Sequence, residues 1–200
     1  AAQALGRLAR AAARVDPRRP ETCCVVGNYY ARKGAHARAA AAFRRALRLD
    51  PACLAAWTLM GHEHIEMRNA AAAVEAYRRA VELSPKDYRA WYGLGQAYEL
   101  LRAPRYAAYY YGRAVALRPY DPRMWCALGA CHERLGQNRA AARCYERAAA
   151  GRDQEGLAVA KLAELYRGEG KPDKAAACYE RRLWAAHPRL MEGVAARERA

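Results

Sequence analysis

The stretch Tyr88–Leu101, YRAWYGLGQAYELL, sets a tryptophan three residues before Leu-Gly and a tyrosine three beyond the glycine. The same frame stands upstream in LAAWTLMGHEHIEM (54–67) and downstream in PRMWCALGACHERL (122–135). Trp57, Trp91 and Trp125 lie 34 residues apart. With the tryptophan as position 4 of a unit, five units follow without an insertion: 20–53, 54–87, 88–121, 122–155 and 156–189. Position 8 reads Gly27, Gly61, Gly95, Gly129 and Ala163, and position 20 reads Ala39, Ala73, Ala107, Ala141 and Ala175. Position 24 reads Phe43, Tyr77, Tyr111, Tyr145 and Tyr179. Position 27 reads Ala46, Ala80, Ala114 and Ala148, then breaks at Arg182. Position 32 reads Pro51, Pro85 and Pro119, then breaks at Asp153 and His187.

A repeat of this length with glycine or proline between two apolar stretches predicts two antiparallel helices, A and B. Small residues at positions 8, 20 and 27 let the helices approach, and aromatics at positions 4, 11 and 24 fill the remaining volume. Gly34, Gly136 and Gly170 suit helix C-terminal caps, and Pro104 and Pro172 suit first helical turns. The pattern W-x2-L-G-x2-Y, A-x3-F, P resembles the tetratricopeptide repeat (TPR) family. That resemblance implies an all-α, right-handed superhelix of about five helix-turn-helix units with partial ends. Residues 1–19 are expected to supply helix B of a preceding unit, 20–189 the five units, and 190–200 a capping helix or cut edge. The opening AAQALGRLARAAARVDP lies inside a helical pattern, so the chain is expected to be a segment of a longer protein. The expected core holds Gly27, Trp57, Gly61, Ala73, Tyr77, Trp91, Leu94, Gly95, Tyr98, Ala107, Tyr111, Trp125, Gly129 and Tyr145.

Composition narrows the function. Of 200 residues, 54% are hydrophobic, yet alanine dominates that share and no window suits a membrane span. Seven cysteines, an odd number without a C-x-x-C pair, suit a reducing compartment, cytosol or nucleus. The net charge of +15 rests mostly on arginine, which leaves nucleic-acid binding as a reading to weigh.

Stacked repeats present an extended surface lined by their A helices. Positions 2, 5, 9 and 12 or 13 share one helix face opposite the packed one. There stand Asn28, Thr58, His62, Glu66, Tyr92, Gln96, Glu99, Glu133 and Glu164. A polar and acidic lining in a basic chain suits an extended peptide bearing arginine or lysine. Arg89, Arg123 and Arg134 sit at the edge with the opposite sign. Position 26 forms a stripe on helix B, Arg45, Arg79, Arg113, Arg147 and Arg181. Such a stripe would track a phosphate backbone, but a solvated face is the simpler expectation. His62-Glu63-His64 has the wrong spacing for a zinc-binding helix. Cys126 and Cys131 lack companions at ligand spacing. Tyr111 is expected to pack, with Tyr109 and Tyr110 facing the next repeat or solvent. No catalytic constellation, metal site or cofactor site is expected.

Several stretches go beyond the repeat pattern: ETCCVVGNYY (21–30), AAWTLMGHEHIEM (55–67), DYRAWYGLGQAYELL (87–101) and YYYGRAVALRP (109–119). They are similar to the subunit-eight family of TPR scaffold subunits of the anaphase-promoting complex, or cyclosome. The resemblance covers about residues 20–166 and fades at the glycine-rich turn RGEGKP and at Arg182. It implies a non-catalytic scaffold of a cell-cycle ubiquitin ligase, in nucleus and cytoplasm, active in mitosis and cell division. It implies partners among the other subunits of that complex, and a groove that receives the basic N-terminal C-box segment of a co-activator. It also implies a homodimer through N-terminal repeats that this segment lacks, with no nucleic acid and no membrane as partners. Asn28, His62, Glu66, Tyr92, Gln96 and Glu99 lie within the matching stretches. Three other readings compete. A chaperone-adaptor TPR gripping an acidic C-terminal peptide needs groove cations, but Cys24 and Gly93 stand where cations would and only Asn28 suits it. A glycosyltransferase arm needs an asparagine ladder, and an RNA-binding repeat needs a basic groove.

Overall fold

The computed structural model describes residues 2–151 and 156–186. Asp153, His187 and the expected cap at 190–200 lie outside them, as do the side chains of Arg181 and Arg182. Among the described residues there are eleven α-helices and no strand. They are α1 (Ala2–Val15), α2 (Pro20–Arg32), α3 (His36–Leu49), α4 (Leu54–Glu66), α5 (Ala70–Leu83), α6 (Tyr88–Leu100), α7 (Pro104–Leu117), α8 (Pro122–Arg134), α9 (Asn138–Ala150), α10 (Leu157–Gly168) and α11 (Pro172–Ala186). The fold is an all-α solenoid of helical hairpins. No helix among the described residues is long and apolar enough to cross a membrane.

The chain divides into two compact units, Ala1–Leu117 and Arg118–Ala200. In the first, each A helix (α2, α4, α6) packs on the B helix that follows it, and α3 and α5 each pack on the next A helix. There α4 also touches α2 and α6, while the B helices α3, α5 and α7 make no comparable approach to one another. The first unit therefore curves with its A helices inside. In the second unit α8 packs on α9, α9 on α10 and α10 on α11.

All five hairpins turn by the same device. The last helix residue is followed by a cap and then by a residue in the left-handed region: Gly34, Arg68, Arg102, Gly136 and Gly170, with φ between 53° and 71°. The next backbone N–H reaches back to the carbonyl five residues earlier, at 2.8–3.0 Å, from Ala35, Asn69, Ala103, Gln137 and Lys171. This Schellman closure satisfies carbonyls that the helix end leaves unpaired. Glycine enters the left-handed region freely, whereas Arg68 and Arg102 enter it against their own Cβ.

The core is built from one contact, repeated. Phe43, Tyr77, Tyr111 and Tyr145 are 2% exposed or less. Each ring lies on the position-8 glycine of its own repeat. A Cβ built on Gly27, Gly61, Gly95 or Gly129 would stand 2.4, 2.8, 2.4 or 2.7 Å from that ring. Ala39, Ala73, Ala107 and Ala141 are fully buried and admit the close helix crossing. In the fifth repeat, Ala163 fills the glycine's place and Tyr179 is 38% exposed.

The tryptophans join repeats. The indole Nε1–H of Trp57 donates to the carbonyl of Pro51 at 2.9 Å, that of Trp91 to Pro85 at 2.9 Å, and that of Trp125 to Pro119 at 2.8 Å. A proline ending one repeat thus presents its carbonyl to the first turn of the next. Asp87 and Asp121 add N-terminal caps, accepting from the backbone N–H of Arg89 and Arg123.

Two substitutions test this account by thermal or denaturant unfolding. Gly95→Ala forces a methyl group into the Tyr111 ring and should cost about 1–3 kcal/mol. Arg102→Gly relieves the left-handed turn and should stabilise by about 0.5–1 kcal/mol. A neutral Gly95→Ala would remove the ring-on-glycine contact from its central place.

Candidate functional site

The helix faces inside the curve of the first unit carry the polar residues singled out above. Asn28 on α2 and Gln96 on α6 are half-buried. Thr58 is half-buried, and its hydroxyl donates to the Leu54 carbonyl of its own helix at 3.1 Å. His62 and Glu66, both exposed, face each other one turn apart with 3.9 Å between Nε2 and Oε1. Tyr92 lies with its ring centroid 5.2 Å from that of Tyr111. Glu99 is half-buried and accepts a hydrogen bond from the Tyr111 hydroxyl at 2.5 Å. Tyr92, Glu99 and Tyr111 therefore form one cluster, and His62 and Glu66 a second.

Glu133 and Glu164 belong to the second unit. Glu133 accepts from the Tyr145 hydroxyl at 2.5 Å. Burial first, and then that carboxylate, hold the Tyr145 phenol well above its ordinary value. Glu164 is exposed and accepts from Lys161 at 2.8 Å, which holds its carboxyl below the usual range. Glu99 and Glu133, both half-buried, thus carry a structural duty. Each caps the hydroxyl of the ring that fills its own repeat.

Sequence reasoning missed that duty, and the signal for it is partial. Tyr111 and Tyr145 are matched at position 12 by Glu99 and Glu133, and Phe43, with no hydroxyl, by Ala31, but Tyr77 stands with Ile65.

A second missed cluster lies within His62-Glu63-His64. His62 is exposed, while Glu63 and His64 are buried. Glu63 is 2% exposed and its Oε2 lies 2.8 Å from Nδ1 of His36 at the start of α3. Burial, and then the charge of Arg44, hold the His64 imidazole below its ordinary value. Its Nδ1 has no hydrogen-bond partner. Among the described residues no three His, Cys, Asp or Glu side chains form a metal-binding group. The thiols of Cys24 and Cys144 are pushed up to about 12 and about 11, chiefly by burial, so both remain protonated at neutral pH.

The arginine stripe is held by the protein itself. Arg45 Nη2 donates to the Pro17 carbonyl at 3.1 Å, and Arg79 pairs with Glu82 at 3.0 Å. Arg113 and Arg147 lie over the rings of Trp91 and Trp125, at 5.0 and 5.6 Å. Tyr110 differs from expectation. It stacks between Tyr98 and Trp91 of its own repeat, at 5.1 and 6.0 Å, because Trp91 leaves a flat face open toward α7. Tyr109 is exposed, and Tyr111 is buried.

Comparison with known proteins places this geometry. Profiles of one family, described as tetratricopeptide repeat, match residues 20–53, 58–122, 122–150 and 158–190. A 46-residue stretch is 50% identical to anaphase-promoting complex subunit 8 of Arabidopsis thaliana, and covers 23% of this chain and 8% of that protein. A MamA crystal structure superposes with a TM-score of 0.77 at 21% identity, over 86% of this chain and 94% of that one. The APC/C hetero-tetramer Cut9-Hcn1 gives 0.75 at 21% identity, over 92% of this chain and 36% of that one. At these identities the structural likenesses concern the fold.

The Tyr145–Glu133 bond gives a test of the ring-capping role. A double-mutant cycle of Tyr145→Phe and Glu133→Gln should show about 1–2 kcal/mol of coupling. The raised folded-state value also sets a pH dependence. The contribution is full below the unfolded tyrosine value of about 10 and is lost as pH rises above it. Urea unfolding across the alkaline range should show that loss diminished in Tyr145→Phe.

Proposed function

Because the chain belongs to the tetratricopeptide repeat family, we propose that it serves as a scaffold subunit of the anaphase-promoting complex. The family is one of protein–protein interaction scaffolds. The observation that carries the proposal is the half-identical 46-residue match to subunit 8 of that complex. In this reading the chain binds neighbouring subunits of the ligase, and its inner A-helix face takes a basic co-activator segment. A homodimer of the longer protein and residence in nucleus and cytoplasm belong to the same proposal.

The chemistry of the inner face supports a basic ligand. Glu66 is exposed there beside His62, and Asn28, Thr58, Tyr92 and Gln96 offer hydrogen bonds and a ring face, with Arg89 at the edge. The described arginines of the stripe, Arg45, Arg79, Arg113 and Arg147, are exposed on the B helices, away from the inner A-helix face. A chain of net charge +15 can therefore offer an inner face suited to guanidinium.

Fluorescence anisotropy tests this directly. An arginine-containing co-activator-type peptide and an acidic C-terminal peptide are titrated at low and moderate salt. The basic peptide should bind preferentially, and Glu66→Arg should weaken it about threefold to tenfold while leaving the melting curve unchanged. Preference for the acidic peptide would instead favour the chaperone-adaptor class.

A further inference from the structure

The seven free cysteines include one pair that the repeat pattern does not call for. Cys24 stands at position 5 of the first repeat and Cys53 at its position 34. In the repeats that follow, position 5 reads Thr58, Tyr92, Cys126 and Ala160, and position 34 reads Asp87, Asp121, Glu155 and Arg189. Two sulfurs coincide at these positions in the first repeat alone.

Position 34 has a duty elsewhere. Asp87 and Asp121 cap the helix that follows them, accepting from the backbone N–H of Arg89 and Arg123 at 3.0 and 3.1 Å. Cys53 holds the same place before α4, and its side chain makes no capping hydrogen bond. It shares one with the Cys24 thiol instead. The two helices concerned, α2 and α4, touch. Both cysteines pack against the same cluster, which holds Phe43 and Ala56. Both are half-buried, whereas Cys23, next along α2, is 5% exposed.

The two sulfurs are not equivalent. Burial first, and then the neighbouring Cys53, push the Cys24 thiol up to about 12. Thiolate is the attacking form, so Cys24 is the poorer first nucleophile of the pair.

We infer that Cys24 and Cys53 are a redox-responsive dithiol, which closes to a disulfide tying α2 to the start of α4. The oxidant is a low-molecular-weight disulfide of the glutathione type. The Cys53 sulfur gives up its proton and attacks one sulfur of that disulfide, whose S–S bond breaks. One small thiolate leaves and takes up a proton. The Cys24 sulfur then gives up its proton and attacks Cys53 Sγ, and the second small thiolate leaves and is protonated. Two protein thiols are oxidised and one small disulfide is reduced to two thiols, with protons in balance. The closed loop contains all of α3, so the bridge staples the first repeat to the second. Position 5 belongs to the inner face, so oxidation fixes the spacing of α2 and α4 there, whichever ligand that face takes.

The test equilibrates the full chain, without denaturant, in glutathione buffers of graded reduced-to-oxidised ratio. Thiols are then trapped by alkylation and the linkages mapped by tandem mass spectrometry, which separates Cys24 from Cys23. A Cys24–Cys53 bridge should exceed every other pairing at least about tenfold and reopen with dithiothreitol. Cys24→Ser should stop at a glutathione adduct on Cys53. Cys53→Ser should leave Cys24 at least about tenfold less modified than that. Cys23→Ser should leave the bridge unchanged. Alanine replaces serine in any variant that does not fold, and the unaltered chain carries the mapping regardless. A different leading linkage overturns the inference. So does a Cys53 adduct that persists in the unaltered chain, or a Cys24–Cys53 bridge that forms only in urea.

Discussion

Every helix pair in the first four repeats depends on an aromatic ring pressed against a glycine. The rings of Phe43, Tyr77, Tyr111 and Tyr145 occupy space that a single methyl group at Gly27, Gly61, Gly95 or Gly129 would deny them. Dispersion falls steeply with separation, so this approach is worth more than the area of one ring suggests. It also fixes the helix spacing, which fixes what else can be small. Ala39, Ala73, Ala107 and Ala141 are the consequence, as they lie where the crossing leaves no room for more. Tyr77 extends the contact between repeats, because a Cβ on Gly93 of the following repeat would stand 2.2 Å from its ring.

Much of this was legible because a 34-residue period writes each constraint several times over. Trp57, Trp91 and Trp125 set the register, and the small and aromatic positions followed from it. The residues that stayed hidden are those whose role is not tied to one residue type. The left-handed turn is marked by glycine at 34, 136 and 170, but Arg68 and Arg102 take the same conformation with nothing in their chemistry to announce it. Glu99 and Glu133 appear in sequence as surface acids, and only the ring in the same hairpin reveals that they cap a phenol. Hydrophobic patterning cannot foresee this, since Tyr111 and Tyr145 read as plain core.

Charge illustrates the same point. The basic balance invites a nucleic-acid reading, yet a formal charge says little until its neighbours are known. Arg113 and Arg147 lie on indole faces, Arg45 on a carbonyl and Arg79 on a glutamate. These contacts orient the arginines, but all four remain exposed and keep their charge, so the stripe is a solvated basic face. Polarity at the inner face is set by fewer residues, and those residues bear on what the repeats can hold.

The indole-to-proline bond has a consequence for how such a chain can lengthen. It spans six residues and crosses the seam between consecutive repeats. Duplication in whole 34-residue steps copies donor and acceptor together, so each new copy arrives already joined to its neighbour. An added residue within the first turn of α6, between Tyr88 and Trp91, would turn the donor by about 100° around the helix and off its acceptor. The seam is thus intolerant of insertions, and descendants of this chain should vary in number of repeats more readily than in the length of one.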